Sequence, residues 1–361
     1  VRIVVKVGTS SLTDEIGAIN TGFVGRLSEQ IAMLNQQDHQ IVVVSSGAIS
    51  AGVAALGLSA RPTDVTTLQA IAAAGQSRLM DVWSRALGEH DLVVAQVLLV
   101  PHDFVNRRQY LHTRKTLTKL QELGCIPIIN ENDAIASDEI RFGDNDRIAA
   151  LVSHNVGADV LVLLTDTEGL YTSDPRRDAS ATLIREVGAN DPLLDVRATQ
   201  RGTVRGSGGM ASKLAAARIA SSSGVVTVIA AAERPNVLLD AVDGLLVGTT
   251  FRASSRRLPA RKLWIAFAAR PNGRVTVDDG ARGALIERGT SLLPAGVTAV
   301  TGNFHEHDVV EICDQAGTVI ARGLVQLDAS ALRTVAGKRT TEIPSNVAHE
   351  VIHRDDLVTM I

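Results

Sequence analysis

Nine acid or amide side chains, Asn130, Glu131, Asn132, Asp133, Asp138, Glu139, Asp144, Asn145 and Asp146, fall within seventeen residues. Carboxylates and primary amides at that density suit a ligand that carries both an ammonium and carboxylates. The apolar run from Cys125 to Ile129 leads directly into them, which predicts a cluster at the end of a buried strand, where open α/β sheets hold their ligands. The same residue types favour helix caps and Asx turns, so the cluster becomes a site only in the company of others.

Such company exists at three other strand ends. Val5-Lys6-Val7-Gly8-Thr9-Ser10 places a lysine inside an apolar strand and follows it with a glycine and two hydroxyls; exposed backbone N–H groups beside an ammonium make a phosphate cradle. Ser45 to Gly52 is a small-residue turn entering a helix, which again aims N–H groups at an anion. The strand from Val160 to Leu164 runs into Thr165, Asp166 and, further on, Tyr171 and Asp174, candidates for an adenine and ribose site. A glycine-rich loop, Gly202 to Gly209, delivers Lys213 into the first turn of a helix. A cation there opposes the helix dipole, so a bound polyphosphate explains it better than stability does. The loop lacks the GK[ST] of a Walker A motif, and Gly8-Thr9-Ser10 is not the GxGxxG of a dinucleotide fold.

Two lysines, several N–H cradles and an acid and amide cluster together predict phosphoryl transfer, in which a protein mainly positions groups and neutralises charge. No catalytic base of the protein-kinase HRD type is visible. A carboxylate acceptor, already ionised at neutral pH, would need none.

The elements that must position these residues alternate. β-branched runs at Ile3 to Val7, Ile41 to Val44, Leu92 to Val100, Ile126 to Ile129, Val160 to Leu164 and Val225 to Ile229 are separated by helical patterns at Phe23 to Gln36, Leu68 to Leu87, Thr113 to Leu123 and Met210 to Ser221. This predicts an α/β, three-layer αβα sandwich with a mainly parallel sheet over residues 1–252. A basic stretch around Pro259 is expected to be a solvated linker, 253–270, followed by a small β-rich domain over 271–355. From Pro271 to Ile361 eight Lys and Arg face twelve Asp and Glu, and Phe304 is the only aromatic, a composition that makes nucleic acid an unsuitable partner for this domain. His305-Glu306-His307 is expected to be an exposed hairpin tip rather than a metal pair.

At 361 residues, 45% apolar and 21% charged, the chain has the composition of an ordinary globular protein of two domains. A net charge of -3 provides no broad field for nucleic acid or an anionic membrane. Two isolated cysteines, Cys125 and Cys313, suggest buried thiols in a reducing compartment. No apolar run has the length of a membrane span, so a cytoplasmic location is expected; the chain begins at Val1 rather than Met, and a few further residues are expected before it.

The motifs Val5 to Ser10, Ser46-Gly47-Ala48, Ile129 to Asp133, Gly143 to Asp146, Leu164-Thr165-Asp166 and Gly208 to Lys213 together resemble those of the glutamate 5-kinases of the amino acid kinase family, in the same order and over essentially the whole chain. The resemblance implies ATP-dependent phosphorylation of the L-glutamate side-chain carboxylate to L-glutamyl 5-phosphate, the first step of proline biosynthesis, with Mg2+ and feedback inhibition by proline. It implies that Lys6 and Lys213 contact the phosphoryl groups, with Asp144 and Asp146 organising the lysines or the metal. Ser46, Gly47, Asn130, Asp133 and Asn145 would hold glutamate. Lys6, Gly8, Thr165, Asp166 and the stretch Ser207, Gly208, Gly209, Met210, Ala211, Ser212 and Lys213 would bind ATP. No metal ligand is assigned. A homo-oligomer and a glutamyl phosphate reductase that receives the product also follow from it. Val275 to Gly280 and Gly289 to Pro294 resemble a PUA domain, a small β-barrel, for which a regulatory or assembly role is expected. Arg141 stands where the family carries Lys, and Ser207 where it carries Thr; the guanidinium keeps the charge of Arg141 and changes its geometry. The nearest rivals are another kinase of the family, such as one for acetylglutamate or aspartate, and an RNA-binding protein acting through the second domain.

Overall fold

The β-branched runs do become strands, and each side chain's face follows from the two-residue period of a strand. A computed structural model describes all residues except 15–16, 105, 136–144, 190, 192–208, 256, 269–270, 345–347 and 361. The chain divides into two units, Val1–Arg257 and Leu258–Ile361.

In the first unit the order is β1 (Arg2–Val7), α1 (Thr9–Leu12), α2 (Thr21–Gln36), β2 (Gln40–Ser45), α3 (Ala48–Ala55), α4 (Val65–Gly88), β3 (Val93–Leu99), α5 (Arg107–Glu122), β4 (Cys125–Glu131), α6 (Asn145–Val156), β5 (Val160–Thr165), β6 (Glu186–Val187), α7 (Met210–Ser222), β7 (Val226–Ala231), α8 (Val237–Val242) and β8 (Gly248–Phe251). Among the described residues the eight strands form one sheet, ordered β3-β4-β2-β1-β5-β7-β8-β6. All pairings are parallel except β7 with β8. Ile3, Val5 and Val7 pack with α2, α4 and α8 in one core that includes Leu27, Trp83 and Leu238. Alternation sends Val4 and Lys6 to the opposite face, where α6 packs on β1. This is the expected three-layer sandwich with a mainly parallel sheet.

Register aligns the strand ends. Val7 pairs with Ser45 and with Leu164, and Val44 pairs with Ile129. β1 is where the strand order reverses, with β2 and β4 on one side and β5 and β7 on the other, so the carboxyl edge around β1 is the place this topology reserves for a ligand.

Close approach of α3 and α4 depends on two glycines. A Cβ on Gly75 would lie 1.9 Å from the Ala48 carbonyl oxygen and 2.4 Å from Gly52 N, and one on Gly52 would lie 2.1 Å from the Ile71 carbonyl oxygen. The helices therefore touch backbone to backbone, and the residue after Gly75 is carried to the edge of the sheet.

In the second unit, α9 (Ala260–Leu263) and a π-helical turn (Trp264–Ala268) precede β9 (Gly273–Val277), α10 (Asp279–Arg288), β10 (Val297–Gly302), β11 (Val309–Cys313), β12 (Val319–Leu324), α11 (Ala329–Val335) and β13 (Leu357–Thr359). Its five strands are ordered β10-β9-β11-β12-β13 over a core containing Val275, Phe304, Ile312 and Ile352. Two expectations change here. The stretch 253–270 is not simply a solvated linker, because Ile265 and Ala266 are buried with Val309 and Leu324 and the Ala266 carbonyl accepts from Arg322 Nη1 at 2.9 Å; apolar residues between the basic ones dock it. The fold also continues past 355, because β13 pairs with β12. Cys313 is buried as expected, whereas Cys125 is only half-buried. The turn at His305 to His307 is exposed. No described helix is long and apolar enough to cross a membrane.

Candidate active site

Lys6, near the end of β1, is only 4% exposed although its strand is otherwise apolar. Its ammonium bends over Gly8, where an added Cβ would lie 3.6 Å from Nζ. A buried cation requires a partner, and α6 provides one in its first turn: Lys6 Nζ lies 2.8 Å from Asp146 Oδ1. The other oxygen, Asp146 Oδ2, accepts from Lys213 Nζ at 3.3 Å and from the Ser212 hydroxyl. Gly209 caps α7, which starts at Met210, so Lys213 also lies in a first turn. One carboxylate thus joins two lysines from β1 and α7.

Burial by itself would raise the Asp146 carboxyl, but Lys6 and then Lys213 outweigh it and hold the group below the usual carboxylate range. Burial lowers Lys213, with the Asp146 charge opposing. Two lysine side chains face one carboxylate in the cluster, an arrangement suited to phosphoryl oxygens.

Next to Asp146 along α6, Asn145 enters a chain of amides. Its Nδ2 donates to Ser46 Oγ and to Asn130 Oδ1, both at 3.1 Å. Asn130 Oδ1 also accepts from the Glu131 N–H at 2.9 Å, and Asn130 Nδ2 donates to Gln76 Oε1 at 2.8 Å. Ser46 is held from below, because Trp83 Nε1 donates to Ser45 Oγ and Ser45 Oγ to the Ser46 carbonyl. Gly47 adopts φ 96° at the start of α3, a left-handed conformation that lets the chain turn from β2 into the helix.

Three buried polar atoms around the end of β4 have no hydrogen-bond partner among the described residues: Asp133 Oδ1, Asn145 Oδ1 and Gln76 Nε2. An unpaired buried polar atom costs about 1–3 kcal/mol, so two acceptors and a donor left open at one strand end indicate a polar ligand. Burial pushes the Asp133 carboxyl up to about 6, with the Arg61 charge opposing.

The structure therefore brings Lys6, Asp146, Lys213 and Ser212 together, and beside them Ser46, Asn130 and Asn145. Thr165 ends β5 and Asp166 follows it, accepting from Thr165 Oγ1 at 3.1 Å. Asn130 Oδ1 is filled by the Asn145 and Glu131 donors and one Nδ2 proton by Gln76, so this side chain orients Asn145 and Gln76. The Ser212 hydroxyl is likewise committed to Asp146. Asp138, Glu139, Arg141, Gly143, Asp144, Ser207 and Gly208 lie outside the described residues. Gln76 and Arg61 escaped the sequence reading. Gln76 sits in a long helical pattern with no motif of its own, and only the adjoining Gly75 hinted that something approaches there.

An amino acid kinase family model matches residues 1–231 and a PUA domain model matches residues 273–346. The chain belongs to the amino acid kinase family. Its curated relatives include glutamate 5-kinases of Mycolicibacterium vanbaalenii, 45% identical over 99% of this chain and 96% of that one, of Nocardia farcinica, 47% identical with the same coverage, and of Mycobacterium tuberculosis, 46% identical over 99% and 94%. Among solved structures, isopentenyl phosphate kinase of T. acidophilum superposes with a TM-score of 0.50 at 19% identity, over 70% of this chain and 100% of that one; the likeness is one of fold.

Proposed function

We infer that this chain transfers the γ-phosphoryl group of ATP to the side-chain carboxylate of L-glutamate, giving L-glutamyl 5-phosphate. The observation that carries this reading is the buried Lys6–Asp146–Lys213 cluster set one residue from Asn145, whose open Oδ1, with that of Asp133, suits an ammonium. Curated relatives that are glutamate 5-kinases over nearly the whole chain support it.

In this reading the glutamate ammonium lies between Asp133 Oδ1 and Asn145 Oδ1, and the γ-carboxylate faces the lysines. Lys6 would neutralise charge on the transferring phosphoryl group and Lys213 charge on the ATP phosphates, while Asp146 keeps the two ammoniums from repelling each other. The nucleophile is a carboxylate, so no proton has to be removed from it. Thr165, Asp166 and the Gly209 end of α7 form the nucleotide side. Mg2+ would supply further charge neutralisation on the phosphates. No group of three His, Cys, Asp or Glu side chains able to hold a metal occurs among the described residues, and Asp144 lies outside them. Proline biosynthesis with proline as feedback inhibitor, a homo-oligomer, a cytoplasmic location, delivery to a glutamyl phosphate reductase and a regulatory or assembly role for the PUA domain belong to the same reading.

The test is hydroxylamine trapping of the acyl phosphate in the presence of ATP and candidate amino acids. Hydroxamate with L-glutamate is the expected result; hydroxamate with aspartate or acetylglutamate in its place would overturn it.

A further inference from the structure

The amide orientations around β4 follow from one donor that cannot be exchanged. The Glu131 backbone N–H fixes which end of Asn130 is oxygen; Asn130 must then present Nδ2 to Gln76, and Gln76 must answer with Oε1. The end of Gln76 that remains is Nε2, a donor, buried and without a partner among the described residues. Gln76 is 8% exposed, its Oε1 is held by Asn130 and its backbone lies at the close approach of Gly75 to α3. A buried amide N–H held open in this way is a stored site for an acceptor.

We propose that Gln76 is a specificity-determining residue whose Nε2 donates to the α-carboxylate of the acceptor amino acid. This rests on the reading of the chain as a glutamate kinase. The assignment to the α rather than the reacting carboxylate follows from connectivity. Asp146, which gathers the lysines, adjoins Asn145; Asn145 bonds Asn130, and Asn130 bonds Gln76. Gln76 thus terminates the relay at the end away from the lysines, and the two open acceptors, Asn145 Oδ1 and Asp133 Oδ1, suit the ammonium. Glutamate places its ammonium and α-carboxylate on one carbon and its reacting carboxylate at the other end. Acceptors for the first, a donor for the second and lysines for the third match that order.

The test uses the full chain and two substrates, L-glutamate and 4-aminobutanoate, which keeps the ammonium and the reacting carboxylate but lacks the α-carboxylate. Initial slopes of hydroxamate formation at pH 8 provide kcat/KM without saturation. Gln76→Glu keeps an oxygen for Asn130 while replacing the donor, and Gln76→Met, of similar volume, serves if the first variant melts early. The expected result is a loss of at least 30-fold with glutamate and less than threefold with 4-aminobutanoate, with KM for ATP unchanged. Equal losses on both substrates would make Gln76 a structural support for Asn130 and overturn the proposal, as would no loss on either. A wild-type chain inactive on glutamate would instead overturn the reading beneath it.

Discussion

Lys6 Nζ and Asp146 Oδ1 meet 2.8 Å apart with both side chains almost fully buried, tying the central strand of the sheet to the first turn of a helix 140 residues further along. The pair explains how a lysine can occupy an apolar strand, and it sets the terms for the first prediction.

Asp146→Asn replaces the carboxylate that Lys6 and Lys213 share among the described residues with a neutral amide. Breaking a buried ion pair from one side costs about 3–5 kcal/mol, so urea unfolding should show a loss of that order. Adding Lys213→Met to Asp146→Asn should recover part of the stability and none of the activity; a double variant no more stable than the single one would mean that the lysines do not share the carboxylate.

Lys213→Ala should lower kcat at least 100-fold, because the charge it neutralises grows as the phosphoryl group leaves ATP. A variant with normal kcat and a raised KM for ATP alone would reduce Lys213 to a binding residue.

Asp133 is expected to impose a pH dependence on glutamate binding. Its carboxyl is pushed by burial to about 6, above the ordinary 3.8, and only the ionised form pairs with an ammonium. KM for glutamate should rise as pH falls through about 6, and Asp133→Asn should raise KM at pH 8 while removing that dependence. Without ligand, the native state holds a proton between about pH 4 and 6 that the unfolded chain has released, so this group's contribution to stability falls as pH rises through that window. Asp133→Asn should therefore make the unliganded protein more stable at pH 8 by roughly 1–2 kcal/mol, checked by urea unfolding at pH 4 and pH 8.

Gly75→Ala places a methyl group 1.9 Å from the Ala48 carbonyl oxygen. Backbone must move, at a cost of about 1–3 kcal/mol, and the shift carries Gln76 away from Asn130. A lowered melting temperature together with a KM for glutamate raised more than that for ATP is the expected pattern; a melting temperature equal to the wild type would show that α3 and α4 do not touch as described.

Much of this was legible in the chain itself. Short β-branched runs alternating with amphipathic stretches define strands and helices because those patterns are local, and glycines, hydroxyls and lysines at the strand ends mark the carboxyl edge because only that edge collects them. Lys6 announced a missing partner, since a cation in an apolar strand cannot stand alone. What the residues alone could not name was which carboxylate answers it: the resemblance offered Asp144 and Asp146, and the packing of α6 and α7 on the sheet brings Asp146 to both lysines. The same limit hid Gln76. Its helix reads as ordinary amphipathic pattern, and its role exists only because two glycines far apart in sequence let two helix backbones touch. Local patterns determined the elements and the kinds of chemistry available. Long-range packing, which pairs residues by distance and not by spacing, decided the partners.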